Sequence, residues 1–95
     1  MSVKRINEFY AFEDKVSELY EFLIQVQDFI KKSKGNLECS ILQDTELPEK
    51  FLVLEEWDSK ESHKLSLENY PKGMILAASD LFEKPPTGYF YNIDA

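Results

Sequence analysis

FLVLEEWDSKES, from Phe51 to Ser62, reads as a β-strand that ends on a tryptophan and hands over directly to a helix. Alternation sends Phe51, Val53, Glu55 and Trp57 to one face of this strand, and Leu52, Leu54 and Glu56 to the other. Asp58 followed by Glu61 has the spacing of a capping box, which starts the helix just after Trp57. The chain's only tryptophan thus shares a face with a carboxylate two residues before it. Burial of the first competes with hydration of the second.

Working outward, VKRINEFYAF (Val3 to Phe12) is rich in β-branched and aromatic residues and predicts a first strand. Its alternation sets Asn7, Phe9 and Ala11 against Ile6, Tyr10 and Phe12. Asp14 is placed as the N-cap of a helix reaching Lys34. Along it Val16, Leu19, Tyr20, Leu23, Val26 and Ile30 recur at helical spacing, and Phe22, Ile24 and Phe29 widen the stripe. KKSK (Lys31 to Lys34) complements the negative end of that helix, and Gly35 suits the left-handed residue that closes it. LECSILQD (Leu37 to Asp44) is a second strand, and TELPEK, with Pro48, a hairpin loop. The helix after Trp57 is expected to run to Asn69, where Tyr70-Pro71 breaks it. Met74, Ala77, Ala78, Leu81 and Phe82 mark a further helix. KPPTG stops that helix, and YFYNI (Tyr89 to Ile93) is the last strand.

The order β-α-β-β-α-β is that of a ferredoxin-like α+β fold, an antiparallel sheet with its helices on one face. Residues 1–95 read as a single domain. Both faces of the first and third strands carry large apolar groups, and one helical layer covers only one of them. The second face therefore calls for a homodimer packed sheet to sheet. A net charge of −7 argues against nucleic acid, which selects clustered Lys and Arg. No apolar run approaches the ~20 residues that span a bilayer, so no membrane partner is expected. MSVKRINEFYAFED lacks the apolar segment of a signal peptide, and a cytoplasmic location is expected. Cys39, the only cysteine, permits neither an intrachain disulfide nor a cysteine-rich zinc site.

GNLECSILQD followed by KFLVLEEWDSKES, with the terminal strands and the tryptophan before a capped helix, resembles the antibiotic biosynthesis monooxygenase family. The resemblance runs from about Val3 to Ile93 and is most specific at EEWDS. It implies a dimeric α+β barrel with a small apolar pocket in each subunit between sheet and helices. It also implies either cofactor-independent oxygenation of anthrones and quinols, or, in one branch, haem binding and degradation. Asn7 and Trp57 match polar pocket residues of such enzymes by position. Ser66 falls near a position where the family often has histidine. The haem branch's iron-ligating histidine falls within KGMILAASDLFEK, which contains no histidine.

Each candidate has two readings. Trp57 is a core plug, or a fixed indole donor that holds a carbonyl or phenolate oxygen. Asn7 is an amide satisfied by backbone, or one that grips a quinone edge. Glu55 is a partner in a cross-strand ion pair, or a general base whose pKa burial has raised. His63, the only histidine, is either solvated among SKESHK or edges toward a cavity in line with Leu67 and Tyr70. Asn7, Glu55, Trp57 and His63 are the catalytic candidates, and Phe9, Val53, Met74 and Ala78 the apolar candidates for substrate contact. Tyr10, Tyr89 and Tyr91 read as sheet packing, and Cys39 as a small buried hydrophobe.

Three functions follow. The first is a cofactor-independent monooxygenase of a small electron-rich aromatic, needing no cofactor and no metal. The second is a non-catalytic dimer that binds a small apolar ligand. The third is haem chemistry, for which only His63 could serve as axial ligand.

Overall fold

The computed structural model describes residues 2–94. Four strands, β1 (Val3–Ala11), β2 (Asn36–Gln43), β3 (Lys50–Trp57) and β4 (Phe82–Asn92), form one antiparallel sheet in the order β2-β3-β1-β4. Three α-helices, α1 (Val16–Lys31), α2 (Lys60–Asn69) and α3 (Lys72–Ala78), complete the ferredoxin-like α+β arrangement. Alternation along β3 is realised in full. Phe51, Val53, Glu55 and Trp57 are 1%, 1%, 4% and 0% exposed, while Leu52, Leu54 and Glu56 between them are half-buried. Register then fixes the neighbours. Val3, Arg5, Asn7 and Phe9 of β1 sit opposite Trp57, Glu55, Val53 and Phe51, and so share the face under the helices. Leu19 and Leu23 of α1 are fully buried against that face, in one core with Ala11, Ile30 and Cys39.

Four expectations need correction. A 3-10 turn, Glu13–Lys15, precedes α1, and neither Asp14 nor any other side chain caps the helix. The helix ends at Lys31, and Lys32 to Gly35 form the turn. Ser59, not Asp58, is the N-cap of α2 and accepts from Ser62 N at 3.2 Å. Asp58 instead accepts the Ser62 hydroxyl at 2.5 Å, while its own N–H donates to Gly35 O at 2.8 Å. The last strand begins at Phe82 and runs through KPPTG. Prolines are tolerated there because β4 pairs only with β1 and is therefore an edge, and the ladder shifts register between Glu8 and Ala11 where they sit.

Gly35 holds the start of β2 against the start of α2. Its φ is +91°, and an added Cβ would lie 2.5 Å from Ser62 Cβ and 2.7 Å from Asp58 Oδ1. Gly35→Ala is expected to lower unfolding stability by roughly 2 kcal/mol or more, the left-handed penalty plus the clash. Urea unfolding that gives less than half of that would show that the turn relaxes freely.

Candidate functional site

The third-strand carboxylate is where the polar chemistry converges. Trp57 Nε1 donates to Glu55 Oε1 at 2.8 Å, and Asn7 Nδ2 donates to Glu55 Oε2 at 2.5 Å. Asn7 Nδ2 also reaches Val53 O at 3.0 Å, and Asn7 Oδ1 accepts from Arg5 Nε at 3.0 Å. The amide is thus satisfied on both sides, which fixes its orientation. A carboxylate buried without partners would cost several kcal/mol; two charge-assisted hydrogen bonds offset much of this. Burial raises the Glu55 pKa above the ordinary glutamate value, against the pull of the Trp57 and Asn7 donors and of the Arg5 charge. No lysine pairs with Glu55 among the described residues. Lys4 pairs instead with Glu56, on the opposite face, at 3.5 Å.

Above these groups lies a cavity of about 200 Å³ between sheet and helices. Arg5, Asn7, Phe9, Val53, Glu55 and Trp57 line it from the sheet. Phe22, Val26 and Ile30 of α1, and His63, Ser66, Leu67, Tyr70 and Ile75 from the α2–α3 side, close it with Phe82 and Pro86. A larger hollow of about 1040 Å³ lies outside, between α1 and the α2–α3 segment, but no strand residue reaches it. It is an open groove that shares Ser66 and Tyr70 with the inner cavity but is not lined by Arg5, Asn7, Glu55 or Trp57.

The expected site residues thus divide. Asn7, Phe9, Val53, Glu55, Trp57 and His63 come together around one cavity. Met74 and Ala78 do not: Met74 faces the outer grooves and Ala78 is packed at one of them. The break at Tyr70-Pro71 resets the phase of the chain, and α3 turns Ile75 to the cavity instead. The Trp57 N–H is also placed differently from expectation, since it is committed to Glu55 and not free for a ligand. His63 is not solvated. It is 7% exposed, edge-on to Trp57 and Phe90 at 5.6 and 5.1 Å between centroids. Burial, with Arg5 nearby, lowers its pKa to about 4.

Arg5 is not among the residues singled out from the sequence, although its parity with Asn7 on β1 is a usable signal. Tyr70, in line with His63 and Leu67, does reach the cavity with them. Cys39 is buried, its thiol pushed up to about 12 mainly by desolvation, and is unreactive.

A sequence profile described as antibiotic biosynthesis monooxygenase matches residues 2–69, most of the chain. The chain belongs to the antibiotic biosynthesis monooxygenase family. The match takes in the whole Arg5-Asn7-Glu55-Trp57 cluster and stops before Tyr70, α3 and β4, so part of this family member's cavity wall lies beyond it. No curated protein matches it in sequence. Its fold is similar to that of a conserved protein from Methanosarcina mazei Go1, with TM-score 0.86, 20% identity, and 96% and 91% of the two chains covered. It is likewise similar to Rv0793 from Mycobacterium tuberculosis (TM-score 0.85, 14% identity, 98% and 95% covered). SnoaB from Streptomyces nogalater, described as a cofactor-independent oxygenase, superposes with TM-score 0.84 at 12% identity over 99% and 94%.

The haem branch of the family does not fit these residues. A volume of about 200 Å³ is below the ~300 Å³ at which drug-sized sites begin, and a porphyrin is larger still. The one histidine is packed between two aromatic rings.

The depressed His63 pKa has a definite sign. Between its ordinary 6.5 and about 4 the unfolded chain binds a proton that the folded chain does not. Stability attributable to His63 is therefore lost as pH falls through that window. The melting temperature of His63→Leu should fall less than that of the wild type between pH 6.5 and 4. Parallel profiles, or an imidazole NMR titration centred near 6.5, would contradict the buried placement.

Proposed function

We propose that this chain is a cofactor-independent monooxygenase of a small electron-rich aromatic, with Glu55 as the general base. The observation that carries the reading is a buried carboxylate, oriented by two donors, in the floor of a mostly apolar cavity. A carboxylate oxygen has further lone pairs beyond the one each donor occupies, so Glu55 can still take a proton from a ligand. Its raised pKa brings it nearer to that of a phenol, which favours the transfer.

The size of the cavity narrows the substrate. An apolar cavity of about 150 Å³ holds one benzene ring. At about 200 Å³ the space suits a single substituted ring such as a hydroquinone, and a three-ring anthrone would need the wall to open. The chemistry balances without a cofactor. Glu55 accepts a phenolic proton, and the electron-rich ring supplies the electrons that reduce dioxygen. One oxygen atom bonds to a ring carbon, and the other leaves as water, taking up the proton from Glu55 and the proton lost from that ring carbon as its C–H bond breaks. Hydroquinone plus dioxygen gives hydroxyquinone plus water. Asn7 and Trp57 are positioning residues that hold the base, while Phe9, Val53, Phe22 and Ile75 supply apolar contact.

Purified protein with hydroquinone under air is expected to consume dioxygen above the buffer rate. Its kcat/KM should rise with pH through a midpoint above the ordinary glutamate value, because the base must be deprotonated. Glu55→Gln should lose about 100-fold or more and abolish that limb. Absence of uptake across a panel of quinols would remove the oxygenase reading. The second reading, a non-catalytic ligand-binding module, is favoured by the engagement of both the Trp57 and Asn7 donors within the protein. A ligand that raises the melting temperature and is recovered unchanged from air would establish it.

We further propose that the chain works as a homodimer through the helix-free face of the sheet. Ile6, Leu52 and Leu54 are half-buried there, and Leu42, Tyr89 and Tyr91 are 44%, 62% and 50% exposed. Lys4–Glu56 and Lys50–Glu8 pairs lie on the same face. An uncovered apolar surface of this kind is costly in water. Light scattering at micromolar concentration should give twice the 11.1 kDa chain mass, and Leu54→Lys should give the monomer. A monomeric wild type contradicts the proposal.

A further inference from the structure

Arg5 is the one fixed cation in the cavity wall among the described residues, and neither the family match nor the base chemistry assigns it a role. Three features build it into place. Its guanidinium lies over the Phe90 ring, 4.8 Å from Cζ to centroid. Its Nε donates to Asn7 Oδ1 at 3.0 Å. Gly88, opposite Asn7 on β4, leaves the space it occupies, since a Cβ there would lie 2.5 Å from Arg5 Nη2 and 2.5 Å from Asn7 Oδ1.

The Nε bond is the only hydrogen bond the guanidinium makes among the described residues, so its Nη donors remain available. Lys60 Nζ stands 5.4 Å from the centroid of the same Phe90 ring. Neither Arg5 nor Lys60 enters an ion pair among the described residues, although the chain has 18 acidic residues to 11 basic ones. Two cations without a direct ion pair among the described residues thus meet at one aromatic ring beside the cavity. Glu55, opposite Arg5 in the strand register, offsets part of the Arg5 charge without a salt bridge, and the Nη donors stay open to a ligand.

We propose that Arg5 receives an oxyanion of the ligand, so that the substrate class is a single aromatic ring bearing a negatively charged oxygen. This rests on the reading of the cavity as a substrate site and adds the group that holds the charge. The oxyanion is either a phenolate produced by loss of its proton to Glu55 or a carboxylate carried on the ring. Both present the oxygen lone pairs that a guanidinium fork accepts.

Binding is measured without dioxygen, by calorimetry with three single-ring probes: benzoate, ionised 4-nitrophenol, and neutral nitrobenzene. Wild type is expected to bind at least one of the anions about tenfold or more tightly than nitrobenzene, as a hydrogen bond to a charged group warrants. Arg5→Met, which keeps the reach and loses the charge, should abolish the difference. Gly88→Ala, which keeps the charge and displaces the guanidinium, should reduce it if Arg5→Met fails to fold. Preference for benzoate alone identifies a carboxylate, and preference for nitrophenolate identifies a phenolate. Equal binding of all three probes by wild type, absence of binding by any, or a preference surviving in the variants overturns the proposal. Oxygen uptake is read separately. Anion preference without uptake would remove the oxygenase reading and leave the Arg5 site standing.

Discussion

A carboxylate at position 55, buried to 4% exposure and held between an indole N–H and an amide N–H, is the constraint around which this molecule is arranged. Taking that charge out of water is unfavourable, and each neighbour answers part of the cost. Trp57 supplies a donor from two residues along the same strand, Asn7 supplies one from the adjacent strand, and Arg5 stands behind Asn7. Because the donors come from different strands, the register of β1 against β3 and the position of the carboxylate are one problem. A slip by one residue would put Asn7 on the opposite face and leave Glu55 with a single partner.

The helical layer turns this polar cluster into a site. α1 covers the core half of the sheet with Leu19 and Leu23, then presents Phe22, Val26 and Ile30 to the cavity from its adjoining stripe. α2 begins immediately after Trp57, because Ser59 caps it, and this short handover brings His63 edge-on to the indole. Gly35 makes the closeness possible by letting Ser62 and Asp58 pack on the turn. The cavity is therefore walled mostly with hydrocarbon, the polar groups being Arg5, Asn7, Glu55, the His63 imidazole and a few hydroxyls. In such surroundings a charge interaction is weakly screened and a proton transfer is sensitive to small changes of position.

Much of this was legible in the primary structure. Period-2 alternation in FLVLEEW placed Glu55 and Trp57 on one face and predicted the opposing apolar face correctly. The same parity on β1 brought Asn7 and Phe9 to that cavity. What failed did so for identifiable reasons. KPPTG reads as a helix stop, because proline is poor in a central strand; at an edge its missing N–H costs nothing in the ladder. Helical periodicity places Met74 and Ala78 toward the cavity, but the phase of α3 depends on the Tyr70-Pro71 break, which periodicity does not carry. His63 sits among polar neighbours in sequence, and only the tertiary approach of Phe90 from β4 buries it. The identity of the Trp57 acceptor was likewise a tertiary matter, although Glu55 stood two residues away throughout.

Since Trp57 is the chain's only tryptophan, its indole N–H gives a single resonance that reports directly on the carboxylate it touches. A pH titration of that resonance tests the account at its centre. It should shift with a midpoint above the ordinary glutamate value, exchange slowly with solvent, and stop titrating in Glu55→Gln. An indole signal that ignores pH, or that exchanges as fast as an exposed one, would mean that Glu55 is not buried against Trp57.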